Sequence, residues 1–67
     1  MNNKEKILYK FIVWDGRFKH DPDSSVAMCC CDSLKEAVKD RNDYGDDCVI
    51  EECRIDGNTL IPTGRIW

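Results

Sequence analysis

Hydrophobic and polar positions along the chain predict four strands and one helix. Residues 7–14 are almost continuously apolar, β-branched and aromatic, which is typical of a strand buried on both faces. Further strands are predicted at 25–31, 47–55 and 60–67. The resulting order is β-β-α-β-β. We therefore expect an α+β fold, a four-stranded and mainly antiparallel sheet with one helix on one face.

The segment 34–44 is predicted to be the helix. Its apolar positions recur at spacings of three and four residues. Ser33 and Glu36 form a capping box, in which the Ser33 hydroxyl accepts from the backbone N–H of Glu36 and the Glu36 side chain reaches back. Gly45 is placed to end the helix in a left-handed conformation. A helix of this length covers one face of a small sheet but not both.

Turn residues separate the predicted strands. Asp15-Gly16 and the Asp-Pro-Asp sequence at 21–23 predict a long hairpin loop over 15–24. Asp56-Gly57-Asn58 predicts a tight hairpin. Pro62 cannot donate a ladder hydrogen bond, so the last strand is expected at an edge of the sheet. The pattern leaves the order of the strands within the sheet open.

The length of the chain limits it to one small domain. Its 67 residues form a single domain over 1–67, with the polar residues 1–6 expected to be frayed. A chain of this mass buries only about 60% of its unfolded surface, so a monomer is marginally stable and a deep, dry active site is disfavoured. One helix leaves the opposite sheet face open. We therefore expect a homodimer that covers apolar side chains on that face.

Charge is unevenly distributed along the chain. The net charge is −3, which disfavours binding of duplex DNA by a basic face. Residues 1–20 have a balance of +3, whereas residues 32–56 have a balance of −5. The acidic flank can attract a basic partner surface. The predicted protein-binding residues are five acids of this flank and two aromatic residues of the first hairpin: Asp43, Asp46, Asp47, Glu51, Glu52, Trp14 and Phe18.

The cysteines and the apolar segments indicate the compartment. No segment is apolar for long enough to span a bilayer, and no basic segment leads into an apolar core as in a secretory signal. We therefore expect a cytoplasmic protein. The five cysteines, at 29, 30, 31, 48 and 53, are an odd number and three are consecutive. Reduced thiols packed as small hydrophobic residues fit this better than a disulfide framework.

Metal sites were considered because the chain is rich in cysteine and aspartate. Cys29 and Cys31 share a strand face and form one pair of potential zinc ligands, but Cys48 and Cys53 are expected on opposite faces. A partial EF-hand loop would have ligands at Asp40, Asn42 and Glu51, positions 1, 3 and 12, with Gly45 as the turn glycine at position 6. Tyr44 replaces an oxygen ligand of that loop, and a strand follows it. The sequence therefore predicts no metal and no cofactor.

Catalytic motifs are not found in the sequence. His20 is the only histidine, and it lies nine positions from the nearest cysteine in a polar loop, so a cysteine–histidine pair is unsupported. A phosphate-binding glycine loop and the hydrolase motifs are also missing. No catalytic residue is predicted. A nucleic-acid surface has one candidate, in the first hairpin: Lys10, Trp14, Arg17, Phe18 and Lys19.

Three segments together resemble short proteins of bacteriophages and mobile elements. They are F-x-V-W-D at 11–15, A-x5-S-x-x-E-A-V at 27–38 and D-C-V-I-E-E at 47–52. The resemblance implies a non-catalytic factor that binds and blocks a bacterial host or defence protein, and this is our leading interpretation. The alternatives are a protein that sequesters a signalling nucleotide in a pocket between subunits, and a nucleic-acid-binding module. The resemblance assigns no functional residue.

Overall fold

A computed structural model describes residues 7–67 as a four-stranded antiparallel sheet with one helix. The elements are β1 (Tyr9–Trp14), β2 (Ala27–Cys31), α1 (Leu34–Tyr44), β3 (Val49–Asp56) and β4 (Thr59–Ile66). The predicted α+β class and order of elements are confirmed. The expected frayed segment 1–6 lies outside the described residues. No helix within residues 7–67 is long and apolar enough to cross a membrane.

The strand order, which the sequence leaves open, is β2-β1-β3-β4. β1 is antiparallel to both of its neighbours, so β2 and β3 run in the same direction on either side of it. α1 connects these two strands across β1, which places the helix over three strands. β4 pairs only with β3 and forms an edge, as Pro62 predicts.

The core lies between α1 and the centre of the sheet. Val13 on β1 pairs with Ile50 on β3 and with Cys29 on β2, and paired residues share a face. Val13 and Ile50 are completely buried, as is Ala37 on the facing side of α1. The core is therefore small. Its buried cluster contains Val13, Cys31, Ala37, Cys48 and Ile50.

Polar groups at both ends of α1 define its limits. The Ser33 hydroxyl accepts from the backbone N–H of Glu36 at 3.2 Å, as predicted, and donates to the Glu36 carboxylate at 3.3 Å. The Glu36 side chain thus returns to the hydroxyl of the cap. Gly45 ends the helix by donating its N–H to the carbonyl of Arg41 at 2.8 Å. Its φ of 146° and ψ of 152° are extended rather than left-handed helical, a conformation open to glycine.

Replacing the cap tests the start of α1. We expect Ser33→Ala to lower the free energy of unfolding by about 1 kcal/mol, because the N–H of Glu36 loses its acceptor. Ser33→Asp keeps an acceptor at the same position and should remain close to wild type. Urea unfolding followed by circular dichroism measures both. An equal loss in the two variants would contradict a capping role for the hydroxyl.

The first hairpin loop is folded rather than open. It contains two short 3-10 turns, Gly16–Lys19 and Pro22–Ser24. Asp15 stabilises the loop with its backbone and with its side chain. Its backbone N–H donates to the carbonyl of Val26 at 3.0 Å, and its carboxylate accepts from the N–H of Arg17 at 3.1 Å. The first turn folds back towards β3. This brings Phe18 onto the sheet face opposite α1.

The second hairpin has a tight turn and an irregular return strand. Gly57 has a φ of 63°, which fits the first central position of a two-residue turn. Further along, the pairing is irregular between the pairs Glu51–Ile66 and Cys53–Pro62. One residue of β3 lies between these two pairs, but three residues of β4 do, so β4 has two extra residues there. This bulge keeps the alternation of faces. Regular pairing resumes beyond it, where Trp67 exchanges two backbone hydrogen bonds of 2.9 Å with Ile50.

Candidate functional site

Two of the predicted binding residues, Trp14 and Phe18, stack on each other on the sheet face opposite α1. Their ring centroids are 5.5 Å apart and their planes are inclined by 25°. The indole N–H of Trp14 donates to the Glu51 carboxylate at 3.1 Å. Glu51 therefore holds the orientation of Trp14, and Trp14 in turn supports Phe18.

An open groove adjoins this stack, and we call it the aromatic groove. Its volume is about 360 Å³. The lining residues are Phe18, Lys19, Val49, Ile66 and Trp67. Val49 forms the buried floor, whereas Ile66 and Trp67 are 51% and 40% exposed. The Trp67 ring packs against Phe11 at a centroid distance of 6.1 Å, on the face of the sheet that α1 covers, because Trp67 pairs with Ile50 and Phe11 pairs with Glu52. A partner side chain entering the groove would meet mostly apolar surface.

The predicted acidic residues do not form one continuous surface. Asp43, Asp46 and Asp47 are exposed at the end of α1 and in the turn before β3. Glu51 and Glu52 are neighbours on β3 and therefore lie on opposite faces of the sheet. Glu51 supports Trp14 as described. Three of the five acids are thus exposed, and of these Asp47 lies against Gly16 at the start of the 3-10 turn that carries Phe18.

Glu52 is buried on the same face as α1. Its side chain is only 8% exposed, and its carboxylate accepts from the Thr63 hydroxyl at 2.7 Å. Thr63 lies in the bulge of β4, so this hydrogen bond is made where that strand departs from regular pairing. Glu52 therefore joins β3 to β4 and is not presented to a partner.

A second depression, of about 560 Å³, lies beside the first 3-10 turn. It is lined by Asp15, Gly16, Arg17, Lys19, His20 and Asp47. Two cationic side chains face two carboxylates there, and the Asp47 side chain packs directly against Gly16. The mixed charge gives a phosphate group no net attraction.

Two thiols and a carboxylate meet at the other side of the molecule, between β2 and α1. We call them the thiol–carboxylate cluster. The Sγ atoms of Cys29 and Cys31 are 3.7 Å apart. Each thiol donates to Oδ2 of Asp40, at 3.5 Å from Cys29 and 3.2 Å from Cys31. Cys31 is buried, while Cys29 and Asp40 are half-buried. Side chains from a strand and a helix thus converge on one point.

The surroundings of the cluster keep its thiols protonated at neutral pH. Burial raises the pKa of the Cys31 thiol to about 12, and the hydrogen bond to Asp40 acts in the same direction. Burial also raises the pKa of Cys29. The neighbouring Cys29 raises the pKa of the Tyr44 phenol, which borders the cluster. Because the thiolate is the reactive form, these cysteines are poor nucleophiles.

The other cysteines weighed as zinc ligands in the sequence, Cys48 and Cys53, do not lie together. All five cysteines are free; Cys48 and Cys53 are buried, and Cys30 is exposed on the face away from the cluster. Cys48 packs in the core under α1, whereas Cys53 pairs with Lys10 and Pro62 on β1 and β4. Among the described residues, no cysteine is hydrogen-bonded to the His20 side chain. The structure therefore assembles neither the Cys48–Cys53 zinc pair nor a cysteine–histidine pair.

The partial EF-hand pattern, which the sequence disfavours as a calcium site, forms no loop among the described residues. α1 continues to Tyr44, so Asp40 and Asn42 lie within a regular helix and not in a loop. Asp40 accepts from the two thiols, and Glu51 accepts from Trp14. The carboxylates needed for calcium thus point to different parts of the molecule.

The basic and aromatic residues of the first hairpin, which are the candidate nucleic-acid surface, do not form one continuous binding surface. Lys10 forms an ion pair with Asp32, which neutralises the cation at that end of the hairpin. The stacked pair of Trp14 and Phe18 uses one ring face of each residue internally. Bases need free aromatic faces beside a basic groove. The first hairpin therefore offers little for stacking.

The zinc hypothesis from the sequence pairs Cys29 with Cys31 and includes only cysteines as further ligands. It therefore does not include Asp40, the third member of the thiol–carboxylate cluster. The available signal was the position of Asp40 on α1, which follows β2 directly.

Comparisons with protein-family models, with curated proteins and with solved structures find no match to this chain.

Proposed function

We propose that the chain is a non-catalytic binding protein of the phage type, which docks onto a bacterial host or defence protein in the cytoplasm and blocks it. The observation that carries this proposal is the aromatic groove with its Trp14–Phe18 stack. Binding hot spots are enriched in aromatic residues that are held rigidly beside a pocket. Here the Glu51 carboxylate fixes Trp14 through its indole N–H, and Trp14 stacks on Phe18 at the groove.

The absence of a catalytic arrangement among the described residues supports binding rather than chemistry. The thiols of the cluster are protonated, and their partner is a carboxylate rather than a base that activates them. His20 is exposed in the loop. The two depressions are open and shallow, which suits contact with another protein.

The acidic residues that precede β3 support a partner with a basic surface, while Lys19 is the one charged residue among the described residues that line the groove. Asp47 lies two residues before Val49, the floor of the groove, and Asp43 and Asp46 continue the acidic group. We propose a partner surface with an apolar side chain for the groove, flanked by lysine or arginine residues for the acids. Such complementarity speeds association and selects the partner more than it adds affinity.

The proposal is tested by capturing the partner and comparing variants. The tagged chain is used to isolate bound protein from bacterial lysate, and the partner is then purified and its affinity and activity are measured. We expect Phe18→Ala to weaken binding about 30-fold, since an anchor residue contributes about 2 kcal/mol. The wild-type chain should inhibit the partner at equimolar amounts. Tyr9→Ala, which removes an exposed aromatic residue outside the groove, is the control and should bind normally.

Charge variants separate the acidic group from the groove. Asp46→Lys with Asp47→Lys should slow association and reduce its salt dependence, whereas the same change at the distant Asp23 and Asp56 should not. Normal binding by the Phe18 variant would overturn the proposal. So would a nucleotide that co-purifies with the chain, or salt-dependent retention of RNA or DNA, since these support the two alternatives.

We also propose that two copies associate through the sheet face opposite α1. The aromatic groove occupies one end of this face. At the other end, Leu8 and Leu60 are 54% and 39% exposed beside the half-buried Ile55. The three residues are adjacent, because the N–H of Ile55 donates to the carbonyl of Leu8 at 2.9 Å and Ile55 pairs with Leu60. A second copy bound to this patch under two-fold symmetry would remove these apolar side chains from water.

A further inference from the structure

The thiol–carboxylate cluster has the composition and the spacing of a metal site. It brings together three ligand atoms from β2 and α1, all within 4.8 Å of one another. We propose that Cys29, Cys31 and Asp40 bind one Zn²⁺ ion, with a water molecule as the fourth ligand. This site lies away from the aromatic groove, and the proposal is independent of the partner.

The distances between the ligand atoms match one face of a zinc tetrahedron. With Zn–S bonds of about 2.3 Å and a Zn–O bond of about 2.0 Å, tetrahedral geometry requires about 3.8 Å between sulfurs and about 3.5 Å between sulfur and oxygen. The structure has 3.7 Å between the two sulfurs. The two distances from sulfur to Oδ2 of Asp40 are 3.5 and 3.2 Å. An ion can therefore enter with little movement of the side chains.

The ligand types select zinc among the common cations. Two thiolates and one carboxylate suit a borderline-soft ion, whereas calcium and magnesium require oxygen ligands. On binding, Cys29 and Cys31 each form a bond to the ion and release their protons to solvent, so two protons leave for each ion bound. The carboxylate of Asp40, which accepts from both thiols in the free protein, becomes the third ligand.

Packing alone does not explain the arrangement. Cys31 belongs to the buried cluster, and a small hydrophobic residue would serve there equally well. Cys29 and Asp40 are only half-buried, yet their side chains turn towards each other instead of towards water. A disulfide is disfavoured, because residues two apart on a strand are separated by about 6.6 Å, near the upper limit for a bridge.

Zinc bound here would stabilise the edge of the sheet. β2 is an edge strand, held by β1 on one side only. The ion would join it to α1 at a second point, beyond the contacts of the core. A bound ion stabilises the folded state by mass action, so the melting temperature should rise as zinc is added.

The proposal is tested by titrating the purified full chain, kept reduced and freed of metal, with Zn²⁺ in competition with a chromogenic chelator. We expect one ion per chain. Cys29→Ser and Asp40→Asn should each weaken zinc binding by more than roughly 100-fold. Losing a residue that only hydrogen-bonds to a metal ligand already costs up to about 100-fold, and these two residues are direct ligands in the proposal. Both residues are half-buried, so the variants should fold, and circular dichroism is used to check this. Co²⁺ should give a thiolate-to-metal charge-transfer band and the strong visible bands of a tetrahedral site.

Matched variants on the same two elements provide the controls. Cys30→Ser removes a neighbouring exposed thiol, and Asp43→Asn removes an exposed carboxylate from α1; neither should change zinc affinity or the cobalt spectrum. Binding of less than one ion per chain would overturn the proposal. Equal losses in the control variants, or a cobalt spectrum without a thiolate band, would also overturn it, because zinc would then be held elsewhere.

Discussion

Replacing Ile50 with alanine is expected to lower the free energy of unfolding by about 2–5 kcal/mol, a large part of the total stability. The side chain is completely buried at the centre of β3, where it packs beneath α1 beside Val13 and Ala37. Truncating a buried isoleucine to alanine costs about 2–5 kcal/mol, because transfer free energy is lost and a cavity remains. A domain this small has a total stability at the low end of the range, which begins at about 5 kcal/mol.

The core of this protein contains few large aliphatic side chains that could compensate for the loss of Ile50. Of its five buried cluster residues, two are cysteine and one is alanine, so Ile50 and Val13 are the only branched aliphatic residues among them. Ile50→Val should cost about 0.5–1.5 kcal/mol and remain folded, which keeps the measurement possible if the alanine variant does not fold. Ile66→Ala, at an exposed position, is the control. Urea unfolding of reduced, metal-free protein measures all three. A midpoint for Ile50→Ala close to that of Ile66→Ala would show that the stability lies elsewhere.

Local signals were sufficient to predict the elements. The bounds of α1 agree with the prediction at both ends, because Ser33 and Gly45 act on adjacent backbone groups. The tight hairpin at Gly57 and the edge position of β4 also follow from local chemistry, a positive φ and a proline without a donor. Strand order is different. It depends on whether β3 pairs with β1 or with β2, and both pairings are compatible with the alternation of apolar residues.

The candidate sites depended more on tertiary contacts. Alternation along a strand correctly placed Cys29 and Cys31 on one face, but the third member, Asp40, is brought there by the direction in which α1 crosses the sheet. The separation of Glu51 from Glu52 was available from the same alternation, since neighbours on a strand face opposite ways. The contact between Trp14 and Phe18 requires the 3-10 turn to fold back, which no residue pattern indicated.

Replacing Leu60 with glutamate is expected to convert a dimer into a monomer. Light scattering at micromolar concentration should give twice the 7.8 kDa chain mass for the wild type and the single mass for Leu60→Glu. The reason is that a charge at the centre of the patch formed with Leu8 and Ile55 would be buried without a partner in the dimer, whereas it is solvated in the monomer. Because Leu60 is exposed in the single chain, the Leu60→Glu variant should fold normally.

A second glutamate variant makes this result specific. Asn58→Glu adds the same charge in the exposed turn of the same hairpin, outside the patch, and should remain a dimer. A wild-type mass near 7.8 kDa would overturn the dimer, and the patch around Leu60 would then be open in the free chain. Dissociation by both variants would instead place the contact at the edge of β4, because added charge along an edge strand blocks strand pairing regardless of the face on which it lies.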